Sequence, residues 1–140
     1  MKKSKKIFLV SLLSIIIIAV AVYYYLQSNV NYQLYMLEKG PLTDKIYATY
    51  FVKDNKVIEA IPLLMGNIDD DRYESYKSKV PEKMSCHITY VLDDLTGLNI
   101  GNVCNADGSK TDEEMEQIRN SWKDWYNNSY QSWLEKNNNQ

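Results

Sequence analysis

Histidine is almost absent from this chain, and so is any motif built for catalysis. His87 is the only histidine in 140 residues. A Ser-His-Asp or Cys-His centre needs a nucleophile within hydrogen-bond reach of the base and an acid to orient it. No nucleophile elbow is present, and the neighbour of His87 is a cysteine expected to be oxidised. His87 therefore reads as a half-exposed strand histidine, with pH sensing near neutrality as its functional alternative. No pair of carboxylates is singled out for glycoside hydrolysis. The expectation is a protein that is not an enzyme.

Cysteine is scarce too. Cys86 and Cys104 are the only two, and no Cys-x-x-Cys spacing exists. A zinc site would need more ligands than His87 can add. In an oxidising compartment two thiols most simply form one disulfide. No cofactor and no metal are expected.

Basic charge is lacking where a nucleic acid would need it. Lys2, Lys3, Lys5 and Lys6 supply four of the 16 basic residues, and no acid lies in 1–28. From residue 29 onward 12 basic residues stand against 18 acidic ones, a formal charge of −6. Nucleic acid and anionic lipid both call for a basic face, which this composition denies. Twelve tyrosines and three tryptophans are a heavy aromatic load, able to fill a core or furnish a recognition surface.

What the chain does have is one long apolar run. Residues 7–26 are interrupted only by Ser11 and Ser14. Twenty helical residues rise about 30 Å, the thickness of a bilayer core. The preceding lysines keep the N-terminus cytoplasmic. Tyr23, Tyr24 and Tyr25 suit the outer headgroup layer. A removable signal peptide is the rival reading, since Ala19-Val20-Ala21 offers a small-x-small site. Against cleavage, the apolar run continues through Leu26, and the stretch before the site is four isoleucines without a helix breaker. The expected organisation is a cytoplasmic stub (1–6), a transmembrane signal anchor (7–26), a linker (27–44), an extracytoplasmic domain (45–136) and a disordered tail (137–140). The expected location is a bacterial inner membrane, crossed once, with the C-terminal domain in the periplasm or outside.

Within the outer domain, residues 31–38 fit a helix or a strand, and Gly40-Pro41 ends either. Residues 45–53 alternate as a strand, with Asp54-Asn55 as a hairpin turn and 57–61 returning until Pro62, which ends the strand or places it at an edge. Residues 66–72 form an acidic loop, and 73–79 suggest a short helix before Pro81. Cys86 to Leu92 reads as a β-branched, aromatic strand. Asp94-Leu95-Thr96-Gly97 reads as a type I turn with Gly97 in the bulge position, 98–104 returning and Cys104 opposite Cys86.

Thr111 and Glu114 form a capping box that opens a helix. At 100° per residue Met115, Ile118, Trp122, Trp125, Tyr126, Tyr130 and Trp133 share one arc. The helix is thus amphipathic, five or six turns long, and its aromatic stripe reads as core, with a carbohydrate or peptide platform as the alternative. The fold class expected is α+β: an N-terminal transmembrane helix, then a small antiparallel sheet of about four strands in two hairpins, packed on the long C-terminal helix.

Two further patterns concern binding. If Gly108 is the sixth position of an EF-hand loop, Asn105, Asp107, Ser109, Thr111 and Glu114 fall on ligand positions. Val103 then takes the first position, which it cannot fill, so a turn and helix cap is the simpler reading. Asp69, Asp70 and Asp71 are contiguous and splay rather than converge, giving a solvated loop or a docking site for a basic partner. With Tyr73 and Tyr76 they make the expected partner surface. Tyr32, Tyr35 and Tyr47 are further candidates for exposed aromatics, outside the helical stripe.

The short stub, single span and compact outer domain resemble the layout of the small single-pass periplasmic partners of ToxR-like membrane-bound transcription activators (the ToxS, PsaF and MyfF kind). The resemblance implies an accessory domain that stabilises or tunes such an activator. The partners expected are another membrane or periplasmic protein and, through residues 7–26, the bilayer. A second reading is an immunity or inhibitor protein, whose acidic surface would plug a basic toxin or hydrolase cleft in the periplasm.

Overall fold

The computed structural model describes residues 2–74 and 82–138, with side chains described for 11–73 and 82–138. Its elements are helical almost throughout. In chain order they are α1 (Lys2–Ser28), α2 (Val30–Lys39), α3 (Leu42–Asp54), a 3-10 turn (Ile58–Ala60), α4 (Ile61–Met65), β1 (Tyr73–Glu74), β2 (Glu82–Lys83), α5 (Met84–Thr96) and α6 (Asp112–Asn138). The strands pair antiparallel over two residues each, Tyr73 with Lys83 and Glu74 with Glu82. The expected α+β domain with a four-stranded sheet is overturned: among the described residues this pair is the only sheet.

The first predicted hairpin is a helix, a turn and another helix. Residues 45–53 lie inside α3. The carbonyl of Pro41 accepts the Lys45 N–H, starting the helix one residue after proline. Asp44 and Lys53 sit in its first and last turns, matching the dipole. Ile46, Ala48, Thr49 and Val52 are buried. The spacing of Ile46, Thr49 and Val52 is helical, but over so short a window it coexists with the even-numbered alternation that suggests a strand. Pro62 does not end a strand; it occupies the first turn of α4, where its missing N–H costs nothing.

The second predicted hairpin fails for a different reason. Cys86 to Leu92 belongs to α5, in which Met84 through Thr89, Val91 and Leu92 are all buried. Tyr90 is the one exposed residue between Met84 and Leu92, so the β-branched Ile88, Thr89 and Val91 mimic a buried strand. Gly97 serves as the helix C-cap and not as a hairpin bulge. It is left-handed at φ 67° and donates its N–H to Asp93 O.

Residues 98–104 form an irregular strap without a ladder. Its backbone groups bond side chains instead: Gly101 N–H to the Asp93 carboxylate at 3.2 Å, and Val103 N–H to Thr89 Oγ1 at 3.0 Å. Cys104 is bonded to Cys86, with Cα atoms 4.5 Å apart. The expected cysteine pairing thus forms between a helix and a strap, not across a hairpin.

The capping box forms as reciprocal bonds, Thr111 N–H to Glu114 Oε2 at 2.7 Å and Glu114 N–H to Thr111 Oγ1 at 3.2 Å. α6 is longer than expected, 27 residues, and runs through Asn137 and Asn138 of the supposed disordered tail. Met115, Trp122 and Tyr130 are its buried residues. Trp122 is fully buried and donates its indole N–H to Gly101 O at 2.8 Å, tying α6 to the strap. Leu37, Ile46, Val52, Ile61, Leu64, Ile88 and Leu92 complete one core with it. The stretch 27–44, expected as a linker, carries α2, and Leu37 makes it part of that core. The short helix expected over 73–79 begins as strand β1; its remainder lies outside the described residues.

Candidate functional site

α1 stands apart in character from everything that follows. Its stretch Ser11–Ser28 is long and apolar enough to cross a membrane, and none of it is buried against the rest of the chain. Leu13, Ile15, Ile17 and Ile18 are each about 60% exposed, an arrangement that water disfavours and lipid does not.

The junction between α1 and the domain is closely tied. The helix breaks at Asn29, whose side-chain oxygen accepts Tyr32 N–H at 3.1 Å and caps α2. One turn on, Gln33 is 1% exposed. Its amide donates to Gln27 O in the last turn of α1 at 2.9 Å. One otherwise orphaned carbonyl of α1 is thereby satisfied by a side chain from the domain. Beside this bond lies a cleft of about 150 Å³, lined by Tyr23 and Gln27 of α1, Tyr32 and Gln33 of α2, and Asp44 and Tyr47 of α3. Neither Gln33 nor Asp44 stands out in the sequence. The Asn29 cap is the signal that could have marked the junction.

The acidic loop is drawn toward the protein's own cations. Asp69 meets Lys123 of α6 at 2.8 Å, Asp70 meets Arg72 at 2.6 Å, and Asp71 lies 3.5 Å from Arg119 and 3.6 Å from Lys83. Bonding to the Arg72 guanidinium holds the Asp70 carboxyl below the usual carboxylate range, against the opposing effect of burial. The three carboxylates splay, as their contiguity predicts, and offer a basic partner less unpaired charge than the sequence suggests. Tyr73 is 63% exposed, with Lys83 Nζ 5.8 Å from its ring centre. Tyr76 lies outside the described residues. Tyr35 and Tyr47 are exposed, while Tyr32 is half-buried.

His87 is a buried helix residue, 5% exposed, and not a half-exposed strand histidine. Its Nδ1 is 3.0 Å from the Tyr50 hydroxyl of α3. Tyr90 lies against Tyr50 and is 44% exposed, with Lys53 Nζ 6.0 Å from its ring centre. Burial comes from the α3–α5 contact, which the strand reading did not anticipate.

The EF-hand-like oxygens are spent on the loop itself. Asn105 Oδ1 accepts Lys110 N–H at 2.7 Å, its Nδ2 donates to Lys110 O, and Asp107 Oδ1 accepts Ser109 N–H. Glu114 is held below the usual carboxylate range by the backbone N–H of Thr111. Among the described residues no group of three or more His, Cys, Asp or Glu side chains is placed to share a metal ion.

No protein-family model matches the chain, and neither a curated protein nor a solved structure matches it.

Proposed function

We propose that this protein is a membrane-anchored extracytoplasmic interaction or sensory domain that acts on another envelope protein, as an accessory to a membrane-bound regulator. The observation that carries this reading is the union of α1 with the domain. An exposed apolar helix of spanning length passes through one capped residue into α2, and Gln33 bonds back to its last turn. A movement of the span relative to the bilayer would reach the domain, and the reverse. The disulfide fits an oxidising compartment outside the cytoplasm. Tyr35, Tyr73 and Tyr90 present aromatic surface suited to protein contact. The layout resemblance to partners of ToxR-like activators points the same way.

The test is photo-cross-linking in intact cells from positions 35, 73 and 90, followed by detergent extraction. Recovery of a specific membrane protein is the expected result. Adducts to lipid alone, or none, would contradict the reading.

A further inference from the structure

We propose that the cleft between α1, α2 and α3 binds the amine-bearing head group of a membrane lipid, a protonated or quaternary ammonium. This deepens the anchoring reading above and rests on it. The cleft takes three tyrosines, Tyr23, Tyr32 and Tyr47, from three different helices. Their rings offer electron-rich faces, which attract a compact cation more strongly once it is partly desolvated. Asp44 is the only charged residue lining the cleft. The neighbouring lysines are engaged elsewhere: Lys45 Nζ bonds Asn67 Oδ1 at 2.7 Å and Lys39 pairs with Glu38 at 2.8 Å. One carboxylate among aromatic rings, with no lining cation, selects an ammonium over a phosphate or carboxylate.

Position supplies the source. Tyr23 lies in the last turns of α1, beside Tyr24 and Tyr25, which are 68% and 66% exposed. Such rings belong at the headgroup layer, so the cleft opens where head groups are concentrated. Its volume of about 150 Å³ suits a single small head group and leaves the acyl chains to run along α1. Gln33 lines the cleft and bonds Gln27, so occupancy of the cleft and geometry of the junction are one event.

The test uses the full chain in nanodiscs of mixed phosphatidylethanolamine and phosphatidylglycerol, released into native mass spectrometry to count retained lipids. A retained ratio of phosphatidylethanolamine to phosphatidylglycerol about tenfold above their ratio in the disc is expected, the size of one ion pair with aromatic contacts. Asp44→Asn and, separately, Tyr47→Ala should abolish the preference while circular dichroism stays unchanged. Equal retention of the two lipids, or a preference untouched by both variants, would overturn the head-group site and leave the anchor standing. A chain that never enters the discs would overturn both. Free ethanolamine retained as well as the lipid would assign the cleft to a soluble amine and overturn the lipid source.

Discussion

The side-chain amide of Gln33 in α2 donates to the main-chain carbonyl of Gln27 in α1 across 2.9 Å. One buried side chain thus fastens the apolar helix to the folded domain. Replacing it with leucine keeps most of the volume and removes the donor, leaving a partly buried carbonyl unsatisfied. The expected cost is about 1–3 kcal/mol. Hydrogen exchange should find faster amide exchange over residues 29–33 in Gln33→Leu, with the amides of α6 unaffected.

Trp122 and Gly101 form a second tie, between α6 and the strap, at 2.8 Å. Trp122→Ala should cost about 3–5 kcal/mol through the cavity it leaves. Trp122→Phe fills much of that space but strands the Gly101 carbonyl, so it should cost less while remaining destabilising. Urea unfolding of the two variants in the same detergent would rank them.

The fold was legible where one signal dominated. The apolar run gave α1, and Thr111 with Glu114 gave the start of α6, whose buried Met115, Trp122 and Tyr130 lie on the arc that periodicity picks out. Elsewhere two signals conflicted. Ile46 and Val52 fit the alternation and, with Thr49 between them, a helical face as well, and Ile88, Thr89 and Val91 carry strand propensity within a helix that packing encloses. Tertiary burial outweighs propensities of less than 1 kcal/mol per residue. Gly97 supplies positive φ to either a hairpin bulge or a helix cap, so its presence alone does not choose. The junction cleft was illegible because Gln33 and Asp44 gain meaning only from their neighbours on other helices.

The Cys86–Cys104 bond spans 18 residues of sequence. In the loop-entropy account such a closure stabilises by about 3 kcal/mol. The Cys86→Ser, Cys104→Ser double variant should melt well below the native protein, and reductant should lower the melting point of the native protein but not of the variant.

Asp70 provides a pH dependence with a definite sign. Its folded-state pKa is lowered by bonding to Arg72, so it binds its proton more weakly folded than unfolded. The stability it contributes is complete above the ordinary carboxylate range, about pH 5 and higher, and is lost as pH falls through the lower folded value. Asp70→Asn should flatten the acid limb of a plot of melting temperature against pH, and Arg72→Ala should flatten it similarly.

The capping box is testable in isolation from the core. Thr111→Ala removes the acceptor of Glu114 N–H and should cost about 1 kcal/mol. Thr111→Ser should recover most of it in the same thermal melt.

Anchoring and the head-group site both require α1 to remain in lipid as part of the working protein. Carbonate washing of cell membranes, followed by intact-mass measurement of both fractions, addresses that directly. The prediction is protein held in the pellet with residues 1–21 still attached. Protein released to the supernatant with a mass that begins at Val22 would contradict it.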